Sequence, residues 1–229
     1  MADTIELVPN TGQALIPTPN EDALPRIFAD FATFGDALDY AATGKRGFNF
    51  HDPRGTLTRV YPFSELREDA LKVAYALIAR GVKKDDRIAL IAETGQDFAA
   101  LFCGAVYAGA WPVPLPLPTS FGGKDNYIDQ LAVQLSSSDP ILLIGPDEIA
   151  TMTAAAAERQ GCAHATWADF AAKDAPEVAL PKADPDDICY LQYSSGSTRF
   201  PHGVAVTHRS LLSNLASHAH GMQFQDSDR

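Results

Sequence analysis

The sequence predicts an α/β fold of mostly parallel sheets flanked by helices, and three observations carry that expectation. Short apolar runs fit for buried strands, RIALIAE (87–93) and PILLIG (140–145), alternate with longer segments of helical periodicity. Strands stand at both ends of those helical segments, as the crossovers of a parallel sheet covered on both faces require. A composition of 46% hydrophobic and 21% charged residues over 229 positions is an ordinary globular mix, in a chain long enough to bury a sizeable core.

In chain order, residues 1–25 read as a flexible N-terminal arm, with early acidic residues and no apolar stretch behind a basic one, so not a signal peptide. Residues 26–229 read as one α/β unit. IFADFATFGDALDYAA (27–42) predicts a helix, with Phe31, Phe34 and Leu38 at helical spacing. Residues 46–63 predict two short strands around the turn Asp52-Pro53-Arg54-Gly55, where proline fixes one φ and glycine supplies another. Ser64 is the expected cap of a helix whose apolar face is Leu66, Ala70, Val73 and Leu77 and which Gly81 ends.

After the strand at 87–93 comes an apolar helix at 95–110. WPVPLPLPTS (111–120) then carries Pro112, Pro114, Pro116 and Pro118, reading as a short strand that leaves as extended loop. A flexible stretch at 121–126, a helix over 127–139, the strand at 140–145 and a helix over 146–161 complete the alternation. Residues 170–187, rich in Pro, Ala and Asp, read as a surface crossing, because the strand ICYLQY (188–193) is expected to take its partners from the preceding sheet.

Charge and cysteines narrow the function classes. With 29 acidic against 18 basic residues the net charge is -11, and no basic run could track a phosphate backbone, which excludes nucleic acid as a main partner. Cys103, Cys162 and Cys189 stand apart, without CxxC or histidine-rich settings, so no disulfide framework and no zinc site is expected, and a reducing cytoplasm fits best. No apolar run approaches a membrane span.

The densest chemistry lies in YLQYSSGSTRFPHGVAVTHRS (190–210). A strand ending in small hydroxyl residues and glycine can bend sharply and converge backbone N–H groups and hydroxyls on one point, a concavity suited to phosphate oxygens. Ser194, Ser195, Ser197 and Thr198 supply the hydroxyls, Gly196 the close approach, and Arg199 a fork of donors. The stretch is neither GxxxxGK[ST] nor a GxGxxG opening a helix, so a P-loop kinase and a Rossmann dehydrogenase are disfavoured. Other candidates read as structural. His208 with Arg209 suits a strand-to-helix turn, His218 and His220 do not share a helix face, and Trp111 and Phe121 beside the proline run suit packing.

YSSGSTRFPHGVAVTHRSLLSNL (193–215) resembles the phosphate-loop signature of the adenylate-forming superfamily, and Ser197-Thr198-Arg199 is most similar to its fatty acyl-AMP ligase branch. Upstream, Gly81, Asp86, Arg87, Ala108, Gly109, Val113 and Pro114 match the superfamily's opening, so the resemblance covers roughly residues 30–220. His202 stands where the superfamily often has lysine. The resemblance implies the N-terminal part of the adenylate-forming fold, truncated: the adenine and Mg2+ segment, hinge and small C-terminal domain with the catalytic lysine would lie beyond Arg229, so no catalytic or metal-ligating residue is assigned within the chain.

The resemblance also implies ATP with Mg2+ as cofactors and activation of a fatty acid to acyl-adenylate, the acyl group passing to an acyl carrier protein. Ser194, Ser195, Gly196, Ser197, Thr198 and Arg199 would hold the phosphates, and the isolated chain would lack turnover and self-associate through an open sheet edge. Two alternatives stand beside this: an acyl-CoA or aryl-acid synthetase, and a non-catalytic module that binds nucleotide or carrier protein.

Overall fold

The computed structural model describes residues 24, 25, 27, 30–118, 123–171, 175–193 and 203–223. The first helix, α1 (Phe34–Ala41), begins later than its periodicity suggests. Thr33 stops it: the Thr33 hydroxyl accepts from the Asp36 N–H at 3.2 Å and the Asp36 carboxylate accepts from the Thr33 N–H at 2.9 Å, a capping box that fixes the start. The strands β1 (Gly47–His51) and β2 (Leu57–Pro62) pair antiparallel about the predicted turn, where Asp52 Oδ1 accepts from the N–H groups of Arg54 (2.9 Å) and Thr56 (2.8 Å).

The next helix, α2 (Phe63–Ala79), corrects the expected cap. Its N-cap is Pro62, without a side-chain cap bond, and Ser64 lies inside the first turn, because the hairpin ladder runs straight into the helix through Phe63 N–H to Arg46 C=O at 2.8 Å. The predicted apolar face is buried, from Leu66 through Ala70 and Val73 to Leu77. Gly81 ends the helix at φ +90°, with Gly81 N–H on Ile78 C=O and Val82 N–H on Leu77 C=O, the pair of bonds that only a left-handed residue at that position allows.

Then follow β3 (Arg87–Ile91), α3 (Gln96–Tyr107), β4 (Trp111–Leu115), α4 (Lys124–Ser138), β5 (Leu142–Gly145), α5 (Ala150–Gln160), β6 (Ala163–Thr166) and the short α6 (Ala168–Ala171). The four strands form a parallel sheet in the order β4-β3-β5-β6, whose central strands β3 and β5 are buried on both faces. Alternation along β3 shows why its sequence is a continuous apolar run. Ile88 and Leu90 face α2 and α3, while Ala89 and Ile91 join Leu131, Leu135, Ala156 and Ala157 on the α4 and α5 side. Helices α2 and α3 approach closely at Gly104, where a Cβ would stand 2.5 Å from Val73 Cγ1 and 2.8 Å from Ala70 C=O.

The last described elements are β7 (Ile188–Tyr193), β8 (Gly203–Thr207) and α7 (His208–Gly221). Here the sequence expectation fails: β7 pairs antiparallel with β8 and not with the parallel sheet, although it packs beside β4. The prolines of β4 supply the reason. Trp111 N–H donates to Asp86 C=O and Leu115 C=O accepts from Ala92 N–H, so positions 111 and 115 turn their polar groups to β3. Pro112 and Pro114 are left on the other side, where neither has an N–H to offer β7. Residues 175–187 before β7 form neither helix nor strand, with Ala175 and Leu180 packed on the core and Pro181 Cγ only 2.9 Å from where a Cβ on Gly109 would stand.

Candidate nucleotide-binding site

The predicted cradle Ser194–Arg199 lies outside the described residues, as do Pro201, His202 and Phe121; its two attachment points do not. Tyr193, the last residue of β7, stands opposite Gly203, the first of β8. The Tyr193 ring lies across that glycine, with Cζ 3.1 Å from the position a Cβ would take. Its O–H donates to Ser137 Oγ at 3.0 Å, in the last turn of α4. Tyr193 and Leu191 also pack on the core that contains Val113, Leu115, Leu131 and Leu135.

The other end of the ribbon is fixed by polar contacts. Thr207 caps α7 by accepting from Ser210 N–H at 3.1 Å. His208 is 3% exposed, its Nδ1 accepts from Phe34 N–H at 3.1 Å, and its backbone N–H donates to Asp187 C=O. Burial lowers its pKa, against the opposing pull of Asp187 and Asp36, so the ring is a neutral structural acceptor, in keeping with a strand-to-helix turn. Arg209 grips Asp186 through Nε (2.7 Å) and Nη2 (2.9 Å), and Lys84 Nζ meets Asp187 at 2.7 Å.

Trp111 donates its indole N–H to Asp85 at 3.2 Å. His218 and His220 are exposed on α7, and among the described residues no group of three or more His, Cys, Asp or Glu could hold a metal. Burial pushes the thiols of Cys103 and Cys189 up to about 12, so both are inert as thiolates at neutral pH, and all three cysteines are free. Among the described residues no helix is long and apolar enough to cross a membrane.

A cleft of about 860 Å³ opens elsewhere, beyond the carboxyl ends of β3 and β5, where Arg59, Gln96, Glu93, Asp97, Asp147 and Glu148 line it together with the β1–β2 hairpin. This is the crevice position at which open α/β sheets commonly take ligands. Its walls are acidic, however, and Arg59 is engaged with Glu65 and Gln96. Four carboxylates disfavour a bare triphosphate in this cleft. Sequence reasoning missed the Tyr193–Ser137 contact, whose partners are 56 positions apart.

Residues 49–229 match the AMP-binding enzyme family. A protein of Caulobacter vibrioides provisionally named an acyl-CoA synthetase is 42% identical over 216 residues, covering 94% of this chain and 38% of its own length. The 4-hydroxyphenylalkanoate adenylyltransferase of Mycobacterium marinum is 33% identical over 222 residues, covering 92% of this chain and 35% of its own. A chain solved in structural and functional studies of fatty acyl-adenylate ligases from E. coli and L. pneumophila superposes with a TM-score of 0.84 at 40% identity, over 90% of this chain and 37% of that one. The chain thus spans between 35% and 38% of the length of these relatives. With a family match that runs from β1 through the hydroxyl-rich segment and α7, the chain belongs to the AMP-binding enzyme family.

Proposed function

We propose that the protein activates a fatty acid with ATP. A carboxylate oxygen of the acid attacks the α-phosphorus, the bond from that phosphorus to the bridging oxygen breaks, and pyrophosphate leaves with that oxygen, giving the acyl-adenylate. The acyl group then passes to an acyl carrier protein. The observation that carries this reading is the run Ser194-Ser195-Gly196-Ser197-Thr198-Arg199 between two strands whose ends meet at Tyr193 and Gly203, in a chain 40% identical to one from studies of fatty acyl-adenylate ligases.

In this reading the hydroxyls and N–H groups of 194–198 hold the β- and γ-phosphates and Arg199 adds positive charge at their rim. Such chemistry needs position and charge neutralisation more than covalent help. Mg2+ would supply further neutralisation, and we assign it no ligand in this chain. Residues 26–229 then act as a portion of a larger adenylation domain, working in the cytoplasm. The exposed Val204 on β8, Leu215 on α7 and Met222 just after it support self-association of the 229-residue chain by itself.

A second reading has one observation in its favour: the 33% identity to an adenylyltransferase of 4-hydroxyphenylalkanoates supports an aryl acid as substrate. Exchange of labelled pyrophosphate into ATP separates the two. The product of the complete reading frame containing this sequence is supplied in turn with fatty acids from short to long and with 4-hydroxyphenylalkanoates. Exchange driven by fatty acids is the expected result; exchange driven by the aryl acids alone moves the substrate to the second reading, and none with either ends the adenylation reading.

A further inference from the structure

Of the 14 residues of α7, only His208 and Leu212 are buried. They stand one turn apart on one face of the helix, so packing holds α7 by a narrow strip at its start. That strip includes a direct hydrogen bond to α1, in which His208 Nδ1 accepts from Phe34 N–H at 3.1 Å. Phe34 is the first residue of α1, and its N–H is one of those that a helix start leaves without an intrahelical partner. His208 is likewise the first residue of α7, with its backbone N–H on Asp187 C=O and that of Arg209 on Pro185 C=O at 2.8 Å. One imidazole therefore sits between the positive ends of two helices.

Such a place accepts only the neutral ring. The Nδ1 lone pair that receives Phe34 N–H exists only while the imidazole carries its single proton on Nε2. A second proton would sit on Nδ1, facing Phe34 N–H donor to donor, and would add a full charge where both helix ends repel it. The groups that face the ring do not rescue that state. Asp36, in the first turn of α1, and Asp187, ahead of β7, attract a charged imidazole, while Lys84, between α2 and β3, repels it. Both carboxylates are already anchored: Asp36 accepts from the N–H and O–H of Thr33 at 2.9 and 2.8 Å, and Asp187 from Lys84 Nζ and Asp184 N–H, each at 2.7 Å. The neighbouring Arg209 is taken up by Asp186.

We propose that His208 is a proton-operated latch: the neutral ring holds the start of α7 against α1, and a second proton releases α7 while α1 and the parallel sheet stay in place. Protonated histidines open interfaces in this way. The element that gives way is α7, because α1 is anchored elsewhere, through Asp39 to Arg67 Nε at 2.6 Å and to the Tyr107 O–H at 2.7 Å, whereas no residue of α7 beyond Leu212 is buried. Burial holds the closed ring's pKa below its ordinary 6.5. Once freed, the ring titrates near that ordinary value, so the open form takes up its proton first and opening grows as pH falls. The latch stands independently of the activity proposed above.

Amide hydrogen exchange of the full-length protein, read at pH 7.5 and at pH 5.5 and corrected for the intrinsic pH dependence of exchange, tests this. Protection of 208–221 should fall by up to about tenfold at the lower pH, the most that one ring freed at about 6.5 allows, while α2, β3 and β5 keep theirs. His208→Asn, whose amide oxygen can stand where Nδ1 stands and which does not titrate, should show the same protection at both pH values. Deuterium uptake at the imidazole C2 position, followed against pH in the wild-type protein, gives the ring's own titration and decides the matter if the variant does not fold; it should lie below 6.5. Equal protection of 208–221 at the two pH values, the same fall in His208→Asn, a loss shared by β3 and β5, or a ring that titrates at or above 6.5 would each overturn the latch.

Discussion

The parallel sheet and the β7–β8 ribbon are both made of strands of four to six residues, yet they live in different surroundings. In β3, Ile88, Ala89, Leu90 and Ile91 are all 0% exposed, while Val204 in β8 is 55% exposed and only the last two residues of that strand are even partly covered. The sheet has its interior filled from both faces; the ribbon is held at its two ends, by Tyr193 at one and by the His208 and Asp187 contacts at the other. Rigid support and chemically rich sequence are thus separated, with the hydroxyl-rich segment carried on the less buried element. That is a common division of labour in proteins whose binding groups lie on loops set by a scaffold.

The sharpest way to break this contrast is to remove the same kind of group from each region. Leu90→Ala should cost about 2–5 kcal/mol in urea unfolding, as a cavity in a packed core does. Val204→Ala should stay within about 0.5 kcal/mol. Similar losses at both sites would mean that the ribbon is as integral to the fold as the sheet.

Glycine replacements should even differ in sign. Gly104→Ala forces a methyl into Val73 and the Ala70 carbonyl, and should cost about 1–3 kcal/mol. Gly221→Ala, at the end of α7 with nothing within 4 Å of the new carbon, should stabilise by up to about 1 kcal/mol. Thermal unfolding of the two variants side by side checks both; destabilisation by Gly221→Ala would show that α7 is more closely packed than its exposure indicates.

A smaller effect probes the join between α1 and α7. The His208 imidazole is held below its ordinary 6.5 by burial, and the groups that face it are Asp187, Asp36 and Lys84. The unfolded chain therefore takes up a proton before the folded one does. Stability from this group is full above about pH 6.5 and declines, by no more than about 1.4 kcal/mol per pH unit, as pH falls through the lower folded value. His208→Gln, which keeps an acceptor but does not titrate, should flatten that part of the stability profile between pH 7 and 5. An unchanged profile would assign the pH dependence to the carboxylates.

The same contrast governs what could be read before the structure was seen. Core elements announce themselves through burial: the face of α2 and the apolar runs of β3 and β5 stand in the sequence as periodicity. β6 does not, since Ala163, His164, Ala165 and Thr166 form a strand only because they lie beside β5. The true start of α2 was hidden because a hairpin bond, not a side chain, leads into it, and the start of α1 because a single threonine–aspartate pair overrides a longer periodic stretch. The partner of β7 could be argued from the prolines of β4, but only once their register against β3 is known. At the candidate site the hydroxyls and glycine of 194–199 were legible as chemistry, and the family they resemble matches. The contacts at the two ends of the β7–β8 ribbon, Tyr193 with Ser137 and His208 with Phe34, join residues 56 and 174 positions apart, and no local pattern encodes such pairs.

The most direct test of the phosphate-cradle assignment is the KM for ATP in fatty-acid-dependent pyrophosphate exchange by the full-length protein, with Thr198→Ala compared to wild type. Loss of a hydroxyl hydrogen bond to a charged phosphate should slow adenylation and raise the KM for ATP by about tenfold or more. Wild-type exchange kinetics in Thr198→Ala would contradict the assignment and move the triphosphate away from the segment between β7 and β8.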